Sequence, residues 1–340
     1  MARPHEGSQE ITKGQNTPDM DTAPERSQIL ILGTGALATL FACRLSGACH
    51  EVTLLGSWQP GIRALREKGA RLVDQRGTER TFRVRVAESP DQCPGMKRAV
   101  VLVKAWQTER AAQQLAKCLS PDGLALTLQN GLGNAEILER SLGKQRVALG
   151  TTTLAATLLG PGLVRLAGEG SISIESHPRL ADLQADLISG GFKVDVVADA
   201  NSLLWGKLVV NSAINPLTAL LGVQNGELLR RPAARELMRS LALETAAVAS
   251  AEKVHLAFDD PAFMAEQVAR RTASNYSSML QDVRRGAPTE IEAICGAVAR
   301  TGRRDGIPTP MNDACWQLVR ALAQASETGV YTNEMAIRTA

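Results

Sequence analysis

Residues 27–38 read SQILILGTGALA, an apolar run that leads into a glycine-rich turn. An uninterrupted apolar run of this length is typical of a parallel strand that is buried on both faces. A helical stretch follows through Leu45, and a second strand-like run, EVTLL, occupies residues 51–55. Strand, glycine turn, helix and strand in this order predict a Rossmann-type unit.

The glycine turn has the spacing of a dinucleotide-binding fingerprint. Gly33 permits the tight turn, Gly35 lets the backbone approach a pyrophosphate, and Ala38 keeps the helix close to the strand. The phosphates would lie at the positive N-terminus of the helix. The alternative is a glycine turn without a ligand. The residues predicted to bind the cofactor here are Gly33, Thr34, Gly35, Ala36, Leu37 and Ala38.

The end of the second strand bears on which dinucleotide is bound. NAD enzymes commonly place an acid there to bind the ribose 2′-hydroxyl, whereas this strand ends LLGSW at residues 54–58. The sequence therefore favours NADPH. Ser57 could accept the 2′-phosphate, with Arg63 or Arg66 as its charge partner, or both arginines are simply solvated helix charges.

Two later apolar runs, at residues 99–103 and 124–128, are followed by polar side chains. Lys104 comes directly after the first run, and Asn130 closely follows the second. Ligands of doubly wound sheets bind at the carboxyl ends of the strands, so both residues are predicted to line a ligand cleft. The alternatives are a strand-end charge and a turn asparagine.

From about residue 199 the pattern changes to helical periodicity. Helices are predicted at residues 199–221, 232–253, 261–281, 289–304 and 311–325. The expected fold is therefore α/β, with an N-terminal Rossmann-type doubly wound sheet at residues 27–198 and an all-helical C-terminal domain at 199–330. Residues 1–26 are polar and lack an apolar run, which predicts a disordered extension.

The helix predicted at 199–221 carries a polar stripe on an otherwise apolar surface. Lys207, Asn211 and Asn215 are spaced by four residues and therefore share one helix face. Desolvation lowers the pKa of a lysine, which suits it to proton transfer near neutral pH. The alternative is a partly exposed helix whose lysine reaches solvent.

Two segments near the C-terminus carry further polar groups. Residues 274–282, SNYSSMLQD, cluster hydroxyls and an amide that could bind an anion. Residues 288–292, PTEIE, are predicted to begin a helix, in which Thr289 and Glu292 fit a capping box and Glu290 favours the helix N-terminus. From the residues alone, this structural role is the favoured interpretation of both acids.

Composition excludes several classes of function. A net charge of +3 and 3% aromatic residues argue against a nucleic-acid or membrane-surface partner. No apolar stretch is long enough to span a bilayer. The six cysteines show no paired spacing and the four histidines do not cluster, which predicts reduced thiols, a cytoplasmic location and no metal.

Several motifs together resemble the ketopantoate reductase (2-dehydropantoate 2-reductase) family over roughly residues 28–325. They occur in the family's order and include the lysine and asparagine helix. The motifs are GTGALA at 33–38, LVKAWQ at 102–107, QNG at 129–131, GTTT at 150–153, WGKLVVNSAINPLTA at 205–219, NGEL at 225–228, SSMLQD at 277–282 and TEI at 289–291.

The resemblance implies NADPH-dependent reduction of ketopantoate to pantoate, on the route to pantothenate and coenzyme A. The active site would lie in the cleft between the two domains, and a homodimer is the assembly that the family suggests. Lys207 would be the catalytic general acid, and Glu290 would contact both that lysine and the substrate. The resemblance assigns substrate contacts to Asn130, Asn211, Asn215, Asn225, Asn275 and Ser278, and cofactor contacts to Lys104, Gln107 and Asn130.

One departure from the family pattern concerns the cofactor. The family usually carries an arginine at the end of the second strand, where this chain has Ser57, so NADH stays open beside NADPH. Two alternatives to a ketopantoate reductase also stay open: a relative that reduces a different 2-keto acid, and a dinucleotide-sensing protein without turnover. A third keeps the enzyme but runs it towards oxidation of a hydroxy acid.

Overall fold

A computed structural model of the protein describes residues 27–74 and 76–327, without the side chains of 325–327. The extension predicted to be disordered, residues 1–26, lies outside the described residues. The described strands are β1 (Gln28–Leu32), β2 (Glu51–Leu55), β3 (Ala70–Val73), β4 (Glu79–Phe82), β5 (Arg85–Ala87), β6 (Met96–Val101), β7 (Leu119–Thr127), β8 (Val147–Thr152), β9 (Ala155–Gly160), β10 (Leu163–Gly168), β11 (Ser171–Glu175) and β12 (Lys193–Val197).

The helices fall into an N-terminal set that flanks strands and a C-terminal set that is continuous. The first set is α1 (Ala36–Gly47), α2 (Gln59–Lys68), α3 (Thr108–Cys118), α4 (Asn134–Leu142) and α5 (Ala181–Ser189). The second set is α6 (Ala200–Leu221), α7 (Glu227–Arg230), α8 (Pro232–Ala251), α9 (Pro261–Arg271), α10 (Ser278–Arg284), α11 (Cys295–Asp305) and α12 (Pro310–Glu327).

The main sheet confirms the predicted doubly wound fold. Its order is β12-β11-β8-β7-β6-β1-β2-β5, and the strands from β8 to β5 pair in parallel. The strand order therefore reverses between β1 and β6. Ligands of such sheets bind outside the carboxyl ends of the strands at this switch point. β11 runs antiparallel to β8, which extends the sheet beyond the Rossmann order.

A second, four-stranded sheet of order β4-β3-β10-β9 was not predicted. Its strands are short, and most of their residues are only half-buried or exposed, so they lack both the apolar run and the strict alternation that mark a strand in sequence. This sheet contacts α1 on the side of the Rossmann unit.

The C-terminal region is all-helical, as predicted, and is built around α6. Helices α8, α9, α10 and α12 all contact α6, and their apolar faces form one core cluster with Trp205, Val209 and Ile214. β12 ends at Val197 and α6 begins at Ala200. The domain boundary between 198 and 199 stays a prediction.

Two predicted helices in this region are wrong in their extent. The helix expected at 261–281 is two helices, α9 and α10, because the hydroxyl of Ser277 accepts a hydrogen bond from the Leu280 amide and starts a new helix. The helix expected from 289 begins only at Cys295. Residues 290–294 form a turn, so the capping-box role predicted for Thr289 and Glu292 is wrong as well.

No helix in the part of the chain that the structure describes combines the length and the apolar character required to cross a membrane.

Candidate active site

The turn between β1 and α1 has the shape that a pyrophosphate requires. Gly33 has φ of 123°, a conformation that other residues rarely adopt, and its amide donates to the Leu55 carbonyl at 2.8 Å. Gly35 precedes α1, and the position that a Cβ would take there has no heavy atom within 4 Å beyond its chain neighbours. The first amides of a helix have no intrahelical partner. The residues of this turn therefore fit a bound dinucleotide.

Three strands of the main sheet deliver polar groups to the same edge. Lys104 follows β6, Asn130 follows β7, and Thr152 is the last residue of β8. Because these strands are parallel neighbours, their carboxyl ends lie side by side. Lys104 and Asn130 therefore lie at the carboxyl edge of the sheet, and their part in a ligand cleft stays a prediction.

The carboxylate of Glu290 joins the helical region to this edge. Glu290 is only 5% exposed, and its two oxygens accept hydrogen bonds from the Ala105 amide at 3.2 Å and from Asn130 Nδ2 at 3.1 Å. Lys104 Nζ lies 3.5 Å from the same carboxylate. A buried carboxylate needs such partners, so Glu290 is fixed where the two regions meet rather than serving as a helix-capping acid.

Asp282 is a member of the site that the sequence analysis did not single out. Its carboxylate is 2% exposed and accepts from Lys104 Nζ at 2.7 Å and from Arg285 at 2.6 Å. Burial lowers the pKa of Lys104, but the charges of Glu290 and Asp282 outweigh it, so this pKa is raised. Lys104 is therefore a permanent cation. In sequence, Asp282 resembles any polar helix residue, and only tertiary contact reveals its partner.

Lys207 lies on α6, and its ammonium group donates to the Thr152 carbonyl at 2.7 Å. Burial lowers the pKa of Lys207 to about 8, while the negative charge of Glu290 opposes this shift. Within the described residues Lys207 forms no ion pair with Glu290, because that carboxylate is held by groups of the Rossmann unit. The expected direct contact between them is therefore not present in this structure.

The two asparagines of the α6 stripe share the face of Lys207. Asn211 is half-buried and Asn215 is buried, and neither side chain has a hydrogen-bond partner in residues 27–74 and 76–327. Buried amides without partners cost free energy unless a ligand or water satisfies them. The pair thus provides free donors and acceptors one and two turns beyond Lys207.

The remaining substrate candidates lie in the helical region, Asn225 and Asn275 on loops and Ser278 at the start of α10. Asn225 Nδ2 donates to Thr272 Oγ1 at 2.9 Å, and the Asn225 amide donates to the Asn275 carbonyl at 3.0 Å. Asn225 Oδ1 is buried and has no partner in the described chain. Asn275 and Ser278 are exposed. Asn225 therefore clamps the loop that carries Asn275.

The hydroxyl of Ser278 is free to contact a ligand because the neighbouring Ser277 caps the helix. Ser277, not Ser278, caps α10, and Ser277 Oγ also accepts a hydrogen bond from the buried Thr218 hydroxyl at 2.7 Å. Ser278 is the first residue of the helix, with its side chain in solvent.

The other cofactor candidates flank the sheet edge. Ser57 is half-buried two residues after the end of β2, and Gln107 is half-buried in a short 3₁₀ turn after Lys104. Arg66 pairs with Glu88 at 2.8 Å, whereas Arg63 is exposed and makes no ion pair with any described residue. Among the described residues, no group of three or more His, Cys, Asp or Glu side chains is arranged to hold a metal ion.

Comparison with known proteins gives consistent matches along the chain. The family model described as ketopantoate reductase PanE/ApbA matches residues 29–179, and the model of its C-terminal part matches residues 199–323. The chain is 38% identical to the 2-dehydropantoate 2-reductase of Halobacterium salinarum, over 87% of this chain and 99% of that protein. It is 34% identical to the enzyme of the same name from Archaeoglobus fulgidus, over 87% and 97%.

Solved structures show the same fold. The PanE/ApbA family ketopantoate reductase of Ralstonia eutropha is 33% identical, with a TM-score of 0.82 over 88% of this chain and 99% of that one. A D-mandelate dehydrogenase with NADH and anilino(oxo)acetate is 27% identical, with a TM-score of 0.83 over the same shares of the two chains.

Proposed function

This chain belongs to the ketopantoate reductase family, and from that premise we propose that it reduces ketopantoate to pantoate with NADPH. The observation that carries the proposal is the half-buried Lys207, with a pKa lowered to about 8, on the same helix face as two asparagines whose side chains have no partner among the described residues. Hydride transfer to a ketone leaves a negatively charged oxygen that must be protonated. An ammonium group beside that oxygen can donate the proton.

Lys207 would act as the general acid. The bound nicotinamide supplies the hydride to the ketone carbon. One proton of the Lys207 ammonium is engaged by the Thr152 carbonyl, which leaves two for the substrate oxygen. With a pKa of about 8, roughly nine-tenths of the lysine is protonated at pH 7, yet the proton is readily given up.

The substrate carboxylate would be held by neutral donors. Ser278 and Asn275 offer a hydroxyl and an amide in solvent-accessible positions, and Asn211 and Asn215 offer amides beside the lysine. Fixing the carboxylate and the ketone oxygen at once would orient the ketone carbon for transfer, and such positioning contributes substantially to catalysis.

NADPH is the cofactor we propose, held at the turn of Gly33 and Gly35. The end of β2 supports this proposal, because residues 54–58 carry no acid that would bind the ribose 2′-hydroxyl of NADH. We further propose a cytoplasmic location, which the six free cysteines support. A place on the route to pantothenate and coenzyme A follows from the proposed product.

A second candidate is reduction of a different 2-keto acid. The fold similarity to a D-mandelate dehydrogenase favours it, since that enzyme's name specifies an aromatic hydroxy acid. A dinucleotide sensor without turnover is a weaker alternative, because sensing does not require a proton donor such as Lys207.

Substrate turnover tests the proposal. Purified protein would be given NADPH with ketopantoate, pyruvate, 2-ketoisovalerate or the keto acid that corresponds to mandelate, and loss of reduced nicotinamide followed by absorbance. We expect ketopantoate to have the highest kcat/KM. A higher kcat/KM for another keto acid would identify that acid as the substrate in place of ketopantoate. No turnover despite NADPH binding would support the alternative of a dinucleotide sensor.

A further inference from the structure

An acidic side chain lies beside the end of β2, although β2 itself ends without one. β5 pairs with β2 in parallel, with Leu55 opposite Ala87, and the Gly56 amide donates to the Ala87 carbonyl at 3.2 Å. Glu88 directly follows Ala87. Its backbone therefore leaves the sheet next to Gly56 and Ser57, at the position where Rossmann units accept the adenosine ribose.

The Glu88 carboxylate is held by two side chains of α2. Arg66 donates to one oxygen at 2.8 Å and Gln59 donates to the other at 3.0 Å. These hydrogen bonds lower the pKa of Glu88, so the group is ionised at neutral pH. The Arg66 and Glu88 side chains are 53% and 38% exposed, so a ligand at the strand end can reach both.

In dinucleotide-binding sheets an acid at this place binds the ribose 2′-hydroxyl, whereas an arginine accommodates the 2′-phosphate. This chain has both an acid and an arginine near the end of β2. Glu88 directly follows β5, and Arg66 lies on α2. We propose that the Glu88–Arg66 ion pair determines the choice between NADPH and NADH. Arg66 binds the 2′-phosphate, and Glu88 accepts from the 2′-hydroxyl of NADH while its charge opposes the phosphate of NADPH.

This assignment predicts weak discrimination between the two cofactors. The attraction of the phosphate to Arg66 and its repulsion from Glu88 partly cancel, since both charges lie within hydrogen-bond distance of each other. The inference rests on the proposed function only in that the protein binds a nicotinamide dinucleotide, and it does not depend on the identity of the keto acid.

Equilibrium binding tests the inference without any substrate. The dissociation constants of NADPH and NADH would be measured by isothermal titration for the wild type, Arg66→Gln and Glu88→Gln. We expect Arg66→Gln to raise the Kd of NADPH about tenfold and to change that of NADH less than about twofold. Glu88→Gln should lower the Kd of NADPH and raise that of NADH, each by about threefold.

Two control variants separate this pair from general charge effects. Arg303→Gln removes an exposed arginine of α11 that pairs with Asp313 of α12, within the C-terminal helical region, and should leave both constants unchanged. Arg63→Gln removes the unpaired arginine of α2. A selective loss of NADPH affinity in Arg63→Gln alone would overturn the inference, as would equal shifts for both cofactors in Arg66→Gln and Glu88→Gln.

The titrations also distinguish this inference from the proposed reaction. If the expected shifts appear but ketopantoate is not reduced, the proposed substrate fails and the inference stands. If ketopantoate is reduced but the substitutions do not separate the cofactors, the inference alone fails. A wild type that binds neither dinucleotide would overturn both.

Discussion

At the scale of single residues, burial gives Lys207 its chemistry. Its ammonium has one backbone acceptor and lies on an apolar helix, so the charged form is costly and the pKa falls to about 8. A solvent-exposed lysine would hold its proton too tightly to serve as a general acid near neutrality.

Replacement of Lys207 tests this role. Lys207→Ala should lower kcat by about 10²- to 10⁴-fold, the usual contribution of a general acid, and should change the Kd of NADPH by less than about twofold. Steady-state kinetics with ketopantoate and a separate NADPH titration would measure the two effects. Lys207→Arg is the matched control, because it keeps the charge but cannot release a proton, so its kcat should also be low. Near-normal kcat in Lys207→Arg would exclude proton donation by this residue.

The pH dependence of kcat/KM follows from the same pKa, because that ratio reports the groups of the free enzyme. Since the protonated lysine is the active form, kcat/KM should be constant below a pH of about 8 and fall as the pH rises through that value. Glu290 raises the lysine pKa, so Glu290→Gln should move this limb to lower pH. Profiles for wild type and Glu290→Gln would be compared, and an unshifted limb would show that Glu290 does not act on Lys207 through charge.

Asp282 should contribute to stability as the buried partner of Lys104. Asp282→Asn should lower the free energy of unfolding by about 2 kcal/mol, less than for a fully buried pair, because Lys104 is 34% exposed and keeps Glu290 as a neighbour. Urea unfolding would measure this. Asp122→Asn, in an exposed pair with Lys97 at 3.8 Å, is the control and should leave stability almost unchanged, because exposed ion pairs contribute little. Equal effects of the two substitutions would contradict the account.

Part of this candidate site could be predicted from the sequence, and part of it could not. The spacing of Lys207, Asn211 and Asn215 indicated a polar stripe, since a helix fixes which residues share a face. The pairing of Lys104 with Asp282 spans 178 positions in the chain, and no local pattern encodes such a contact. Glu290 was open to a capping interpretation until the fold placed it against Ala105 and Asn130.

At the scale of elements, the loop after β7 packs tightly against the turn before α11. Gly131 has φ of 81°, and a Cβ on it would lie 2.4 Å from the Ala293 carbonyl oxygen. The Leu132 amide donates to the same carbonyl at 3.0 Å. This backbone contact holds Asn130 and Glu290 in register.

The matched glycine two residues later isolates that contact. Gly131→Ala and Gly133→Ala both place a side chain at positive φ, which costs about 1–2 kcal/mol, but a Cβ at Gly133 meets no heavy atom within 4 Å. Gly131→Ala should therefore lose at least about 2 kcal/mol more stability than Gly133→Ala, and kcat as well. Thermal unfolding and kinetics would measure both losses. Similar losses in both variants would mean that the contact is not tight.

Strands and helices were predicted correctly where a short segment contains the whole local sequence pattern that marks them. The unit β1–α1–β2 has an apolar run, a glycine turn and a second run within 28 residues of chain, from 28 to 55. It failed for α9 and α10, because the break depends on the Ser277 cap and on its contact with Thr218, 59 positions away. The second sheet was missed for a similar reason, as β3 pairs with β10 across the length of the Rossmann unit.

At the scale of the whole molecule, the site is made where two regions meet. The Rossmann unit contributes Lys104, Asn130 and the Thr152 carbonyl, and the helical region contributes Lys207, Asp282 and Glu290. Neither region alone holds all the residues of the proposed site. The matched family explains why both halves carry its motifs in one order.

Transfer of a labelled hydride tests the central claim most directly. NADPH that carries deuterium at the transferable position of the nicotinamide would be incubated with ketopantoate and the purified protein, and the product analysed by mass spectrometry and NMR. The account predicts pantoate with one deuterium at carbon 2, and loss of that product in Lys207→Ala. Dinucleotide binding without labelled pantoate would contradict the account.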